Sequence, residues 1–371
     1  MSETVAISED SRTHSTSRGP SFILKAGLRF RHFPELDGLR GCAILLVLIG
    51  HTVTLKYWRD AGPLGMLGVL LFFVLSGFLI TGLLCSEARR LETISLKAFY
   101  LRRAFRILPA FAVYIVTVSL LIHLRLVTDT GWKGIAVSVM FVENNFGGGV
   151  TVGHLWSLSL EEQFYLVWPL LFLLLGRQRS FAPTLGLIIG IWVYRAVAIS
   201  VAPYDYGLGI FEHRSDFRMD SILVGCALAL LLDQGPKKPG RFTSLARWGT
   251  HPIWVVPFLL CWTIYFEKLP FLSVYLTIQT VFICCLVFHV ILFPASVTGG
   301  LLRMRWLRFV GLVSYALYLW NQLFISVSLP DWGFIRKMPF CLFMSGGAAV
   351  LSYFLVERPF LRLKRRFSPA R

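Results

Sequence analysis

Charged residues are scarce in this sequence. Of its 371 residues, 15% are charged and 56% are hydrophobic. Soluble domains carry about 25% charged residues, so this composition excludes an ordinary water-exposed surface over most of the chain. The alternating pattern of outer-membrane β-strands is also missing. Apolar runs of about 20 residues recur instead, which is typical of a helical membrane protein.

The seven cysteines form no C-x-x-C pair, and none lies in a polar loop. Their odd number and apolar surroundings do not support disulfides or a zinc site. We interpret them as small apolar packing residues and expect no metal.

Three regions follow from the distribution of apolar residues. Residues 1–33 are polar, contain no signal-peptide core and predict a disordered tail. Residues 34–361 predict a transmembrane domain, and residues 362–371 a basic cytoplasmic tail. The predicted fold class is therefore all-α, a polytopic integral membrane protein with about ten transmembrane helices. The predicted spans are 38–58, 63–84, 107–127, 156–176, 182–202, 218–233, 252–267, 271–293, 309–329 and 338–356.

Two shorter segments carry their own predictions. "GIAVSVMFV" at 134–142 is too short to cross a bilayer and predicts a re-entrant or interfacial piece. In "LSGFLITG", Gly77 and Thr81 are spaced i,i+4, which predicts close packing of the second span against a neighbour.

Basic residues outnumber acidic residues by 37 to 20, giving a formal net charge of +17. They lie in short clusters between apolar runs, as the positive-inside rule predicts for cytoplasmic loops. This distribution argues against nucleic-acid binding. It also predicts that the N- and C-termini are both cytoplasmic, which requires an even number of spans.

The first span contains three polar residues, Asp37, Arg40 and His51, in "ELDGLRGCAILLVLIGH". The 11 residues from Arg40 to His51 advance about 1,100° and about 16 Å on an ideal helix, so both side chains share one face at different depths. In one interpretation Arg40 pairs with Asp37 at the surface and His51 caps the helix. In the other, His51 is a functional residue, because imidazole titrates near neutral pH and suits a general base.

Arginines cluster at the start of the third span, in "LRRAFRILPAF". Arg102 and Arg106 are spaced i,i+4, and Arg103 and Arg106 are spaced i,i+3, so the three can form one cationic edge if the helix starts before residue 107. A purely topogenic role explains them. Phosphate binding is the functional alternative.

Polar residues also enter three later spans, and each has a structural alternative. "GHLWSLSLEEQFYLVWPLL" contains Glu162, which can serve as an acidic partner of a helix N-terminus. Arg218 and Asp220 in "FRMDSILVG" can form an interfacial ion pair. Asn321 in "SYALYLWNQ" can act as interhelical glue.

Taken in order, these segments resemble the acyltransferase family 3 membrane proteins. The resemblance extends from about residue 33 to 361 and includes "GVLLFFVLSGFLI" and "VERPF". It implies transfer of an acyl group, commonly acetyl from acetyl-CoA, to a hydroxyl of a sugar or another acceptor at a bacterial membrane. Many members read Y-L-W-H where this chain has Asn321 after Trp320, so an amide replaces a histidine here.

The resemblance implies three groups of site residues. The catalytic group is His51 as general base, with Glu161 or Asp37 orienting its ring. The donor-binding group is Arg40, Arg102, Arg103 and Arg106. The acceptor-binding group is Trp156, Ser157, Arg218, Asp220 and Asn321. Arg218 or Asn321 is also a candidate for facing the developing oxyanion.

The resemblance further implies partners and a location. We expect no tightly bound cofactor; acetyl-CoA or another acyl-CoA is the co-substrate. The expected acceptor is a carbohydrate, a lipo-oligosaccharide or a glycosylated small molecule. The expected location is the bilayer of the bacterial inner (plasma) membrane.

Two other classes of protein compete with this interpretation. A secondary transporter of a lipid-linked sugar or small molecule also carries polar residues inside its spans, but the sequence contains no inverted repeat or paired broken helices. A membrane receptor or scaffold would leave the arginines and His51 unexplained.

Overall fold

A computed structural model describes residues 32–54, 62–201, 213–235, 272–325 and 339–364, together with residue 244. In these ranges the regular structure is helical. The helices are α1 (Pro34–Thr54), α2 (Gly62–Leu91), α3 (Leu96–His123), α4 (Trp132–Val139), α5 (Glu143–Phe146), α6 (Val150–Gly153), α7 (Leu155–Leu175), α8 (Phe181–Val201), α9 (Ser215–Gln234), α10 (Leu272–Leu292), α11 (Val297–Leu302), α12 (Arg305–Leu312), α13 (Ser314–Ile325), α14 (Phe340–Ser352) and α15 (Arg358–Lys364). A π-helical stretch, Tyr353–Glu357, joins α14 to α15.

Among the described residues, five helices are long and apolar enough to cross a membrane. They are Leu64–Leu91, Leu96–His123, Val150–Leu175, Phe181–Val201 and Phe340–Leu363. The all-α membrane class predicted from composition is therefore supported. The count of ten spans and the side on which the termini lie stay predictions. Most of the predicted N-terminal tail, the span predicted at 252–267 and most of the basic C-terminal tail lie outside the described residues.

The structure differs from the prediction at the ninth span, 309–329. Here the helix is broken at Val313, between α12 and α13. Helix α12 buries Leu307 and Gly311, whereas Trp306 and Phe309 are exposed. Where the ninth span begins stays a prediction. Most of the short segment at 134–142 lies in a separate eight-residue helix, α4. Its re-entrant or interfacial position stays a prediction.

Close glycine contacts join α2 to α9. A methyl group on Gly77 would overlap the backbone carbonyl of Ile222, and one on Gly225 would overlap the carbonyl of Val74. The backbones therefore approach more closely than larger side chains allow, which confirms the packing role predicted for Gly77. Thr81 adds a polar link, because its hydroxyl accepts a hydrogen bond of 2.9 Å from the Trp168 indole of α7.

Four helices, α1, α3, α7 and α13, share one set of interior polar residues. Helix α13 runs parallel to α1, since Ser314 pairs with Arg40 near one end and Asn321 pairs with His51 near the other. Helix α7 begins where α13 approaches His51, because Ser157 contacts Tyr318. The fold thus aligns polar residues that are far apart in sequence along one interior surface.

Candidate active site

His51 and Asn321 form a hydrogen bond between α1 and α13. His51 Nδ1 lies 2.6 Å from Asn321 Oδ1. Asn321 Nδ2 donates to the backbone carbonyls of Leu317 (3.1 Å) and Tyr318 (2.6 Å). Carbonyl oxygens only accept, so the amide must point its own oxygen at His51, and His51 Nδ1 must carry the proton. In the neutral ring, Nε2 is then the proton acceptor.

Asn321 therefore both links two helices and takes part in the candidate site. It is anchored to its own helix and it orients the imidazole of a helix 270 residues away in sequence. Both hydrogens of its Nδ2 are used for the anchor. Asn321 consequently has no donor left for a developing oxyanion.

Arg40, Arg103 and Arg106 form a second polar group, which we call the arginine cluster. Arg40 donates from Nη2 to Ser314 (3.2 Å). Arg103 places its guanidinium 4.7 Å from the centroid of the Tyr165 ring, a cation–π geometry. Arg106 interacts electrostatically with Arg40 and Arg103. The cluster lies about 16 Å from His51 along α1.

Three guanidinium groups meet in this cluster, and the carboxyl groups of Glu161, Glu162 and Glu357 are close enough to interact with them electrostatically. No arginine of the cluster forms an ion pair with any carboxylate of the described residues. Glu161 is close enough to interact with all three arginines, but its carboxylate is held by the Tyr165 hydroxyl at 2.9 Å. Arg40 Nε is buried and has no hydrogen-bond partner among the described residues. Neighbouring guanidinium groups repel each other, so the cluster favours binding of a polyanion.

Arg102, adjacent to the cluster in sequence, points to a different partner. It forms an ion pair of 2.8 Å with Glu87, whose other oxygen accepts from the Ser95 backbone N–H (2.8 Å). These bonds tie the end of α2 to the start of α3. Donor binding by Arg102 stays a prediction, and the ion pair supports a structural role for this residue.

The two acids predicted to orient His51 lie elsewhere. Glu161 is beside the arginine cluster, and Asp37 pairs with His32 at 2.8 Å near the start of α1. The hydrogen-bond partner of the His51 ring is Asn321. Direct catalytic roles for Glu161 and Asp37 stay predictions.

Trp156 and Ser157 lie at the start of α7, where Trp156 faces α2 and His213, and Ser157 faces α13. The Trp156 ring packs 4.5 Å from the ring of His213 and 5.9 Å, edge-on, from that of Phe73. Burial lowers the pKa of His213 to about 4, so this ring is neutral near pH 7. Ser157 Oγ is 2.6 Å from the Tyr318 hydroxyl. These two predicted acceptor-binding residues therefore lie near the His51 end of the interior surface.

Asp220 belongs to a separate buried group between α8 and α9. It accepts from Arg195 (3.2 Å) and from the Trp192 indole (2.8 Å). Arg195 also donates to the Phe217 carbonyl (2.7 Å). Arg195 was not predicted from the sequence as a site residue. A charged residue inside an apolar span could have indicated it. Arg218, on the same helix as Asp220, is 1% exposed.

The sequence matches the model of a family described as an acyltransferase domain over residues 33–356. The chain belongs to this acyltransferase family. The resemblance inferred from the ordered motifs is thereby confirmed. Membership in a membrane-type family, together with several long apolar helices, identifies a multi-pass membrane protein.

Curated relatives extend this result. YrhL of Bacillus subtilis (strain 168) is 31% identical over 364 residues, covering 89% of this chain and 55% of YrhL. The peptidoglycan O-acetyltransferase OatA of Listeria monocytogenes is 31% identical over 330 residues, 81% of this chain and 50% of OatA. The O-acetyltransferase OatA of Staphylococcus aureus (strain NCTC 8325) is 29% identical over 361 residues, 89% of this chain and 57% of that protein. The chain thus spans about half the length of these relatives. No solved structure matches the chain.

Proposed function

We propose that the protein is a membrane O-acetyltransferase that transfers an acetyl group from acetyl-CoA to a hydroxyl of a carbohydrate. Family membership and the names of the relatives support acetyl transfer, with peptidoglycan as the first acceptor to test. The observation that carries the proposal is the His51–Asn321 pair, because it leaves the Nε2 lone pair as the acceptor of a neutral imidazole.

The arginine cluster is the proposed site for the phosphates of acetyl-CoA. Arginine is suited to phosphate because its planar fork donates two parallel hydrogen bonds. The three guanidinium groups are preassembled by α1 and α3, and none of them forms an ion pair with a carboxylate among the described residues. We place the Arg40 end of α1 at the cytoplasmic face of the bacterial inner membrane, where CoA is available. The thioester would then extend along the interior surface toward His51.

The proposed reaction is a direct transfer. The acceptor hydroxyl oxygen attacks the thioester carbonyl carbon, and His51 Nε2 takes the hydroxyl proton. When the tetrahedral intermediate collapses, the C–S bond breaks and the CoA thiolate takes that proton from His51. A positioned general base contributes about 10²–10⁴-fold in rate.

The test measures release of free CoA by purified protein supplied with isotopically labelled acetyl-CoA and peptidoglycan fragments. The wild-type protein should release CoA in an acceptor-dependent manner and label the fragments. His51→Ala should lower kcat by at least about 100-fold. His289→Gln is the matched control, since this buried histidine of α10 contacts Ser296 outside the proposed site.

Two results would reject the proposal. One is near-normal turnover by His51→Ala. The other is a wild-type protein that releases no CoA but moves acetylated sugar across a vesicle membrane, which would favour the transporter alternative.

A further inference from the structure

His154 lies at the junction of α6 and α7, beside His51. Its ring is enclosed by the rings of Tyr114 of α3, edge-on at 5.7 Å, and Tyr318 of α13, at 5.2 Å. The Tyr318 hydroxyl donates to the backbone carbonyl of His154. One turn further along α13, Asn321 binds His51. One face of α13 therefore fixes both histidines, and the two imidazoles are close enough to interact electrostatically.

The His154 ring is buried without a hydrogen bond. The residue is 6% exposed, and neither ring nitrogen meets the geometry of a hydrogen bond to any residue that the structure describes. The Leu319 backbone carbonyl lies near the ring, but outside the geometry of a hydrogen bond to either ring nitrogen. Leaving a buried polar group unpaired costs free energy, and burying an unpaired charge costs far more. The ring is therefore neutral, with one N–H donor and one acceptor, and lacks a ligand for both.

A second unsatisfied donor lies in the same region. The Nε1 of Trp320 is buried and, within the described ranges, has no partner. The Trp320 ring packs edge-on against Tyr114 at 5.6 Å, as the His154 ring does at 5.7 Å. Three buried ring nitrogens next to Tyr114, two of His154 and one of Trp320, thus have no hydrogen-bond partner within the described ranges.

We propose that His154 is a further catalytic residue, which donates a hydrogen bond to the carbonyl oxygen of the acyl group as that oxygen becomes an oxyanion. This inference rests on the proposed function. Acyl transfer needs such a donor, and a donor held rigidly in a water-poor site stabilises developing charge most effectively. Asn321 is not available, because both of its N–H groups are bonded within α13.

The acceptor oxygen forms a bond to the carbonyl carbon, and the π electrons of the C=O bond move to its oxygen, where the His154 N–H donates. His51 Nε2 holds the proton from the acceptor hydroxyl. The C=O bond then reforms, the C–S bond breaks, and the thiolate leaves with the proton from His51. His154 keeps its own proton throughout.

The test compares His154→Leu with His154→Gln in the CoA-release assay. Leucine fills the space but has no donor, whereas glutamine retains an N–H. The leucine variant should lower kcat by about 10²–10³-fold, while KM for acetyl-CoA and for the acceptor each stay within about threefold. The glutamine variant should recover kcat to within about tenfold of wild type. In both variants the pH–rate profile should keep its wild-type shape, since the base is His51.

Wild-type kcat in His154→Leu would overturn the inference. So would a folded glutamine variant as inactive as the leucine variant, because an N–H would then not suffice. If His154→Leu does not fold, as judged by size-exclusion chromatography and thermal unfolding, His154→Met replaces it as the variant without a donor. If the wild-type protein releases no CoA, the proposed function fails and this inference fails with it. If the wild-type protein is active and His51→Ala is inactive, the proposed function holds. The His154 variants then test this inference alone.

Discussion

Replacing Asn321 by leucine tests whether its hydrogen bond to His51 controls the proposed base. Leucine is similar in size but has no acceptor for the His51 Nδ1–H, which would then be buried without a partner. A net hydrogen bond is worth about 0.5–1.5 kcal/mol, and a buried donor left unpaired costs about 1–3 kcal/mol. Each 1.4 kcal/mol corresponds to about a factor of 10 in an equilibrium.

These magnitudes give the expected effect on turnover. The lost bond alone shifts the balance between ring tautomers by up to about tenfold, and the ring also loses its fixed orientation. We therefore expect Asn321→Leu to lower kcat by about 10–100-fold, with KM for acetyl-CoA nearly unchanged, because the arginine cluster lies at the other end of α1.

Asn321→His is the matched control. A histidine can offer an acceptor nitrogen to His51, and many family members resemble this variant. We expect it to keep kcat within about tenfold of wild type. The assay is the initial rate of CoA release across a range of acetyl-CoA concentrations. If Asn321→Leu matches wild type while His51→Ala is inactive, the hydrogen bond does not orient the base and the tautomer argument is wrong.

Three further predictions test the arginines, the helix packing and the segment before α7. Arg103→Ala should raise KM for acetyl-CoA by about tenfold. Arg102→Ala should instead lower the free energy of unfolding by about 2 kcal/mol. If both variants and the wild type have the same KM for acetyl-CoA, Arg103 is only topogenic. Gly77→Ala should destabilise the protein by about 1–3 kcal/mol because the added methyl meets backbone. Gly186→Ala, with open space around its Cβ position, should stabilise the protein by about 0.5–1 kcal/mol. The measurement is thermal unfolding in detergent. An unfolding temperature higher for Gly77→Ala than for Gly186→Ala would contradict this packing. Burial raises the pKa of Glu143 to about 7 in the folded protein. The folded state therefore favours the protonated carboxyl group, and the contribution of Glu143 to the free energy of unfolding is lost as the pH rises from about 5 to about 8. Glu143→Gln should flatten that dependence of the unfolding temperature on pH, and an unchanged slope would show that another group controls it.

Local sequence determined the positions of most helices. The predicted spans 156–176 and 182–202 coincide to within one residue with α7 and α8, because a bilayer-length apolar run bounded by polar residues leaves little choice of boundary. Helix α3 instead begins at Leu96, well before the predicted residue 107, since the Arg-rich segment continues the helix back to its cap at Ser95. Helicity does not require apolar residues, so hydropathy alone missed about three turns of this helix.

The sequence also singled out His51 and the neighbouring arginines as candidates, because ionisable groups at the edges and interior of apolar runs are costly and need a reason. Which of them work together was decided only by the tertiary structure. Arg102 and Arg103 are adjacent in sequence, but the helix turns about 100° between them, and only the packing of α2 supplies Glu87 to Arg102. Likewise, His51 and Asn321 meet through the parallel packing of α1 and α13. A hydrogen bond between residues so distant in sequence leaves no periodic pattern in the chain, so only the folded bundle reveals it.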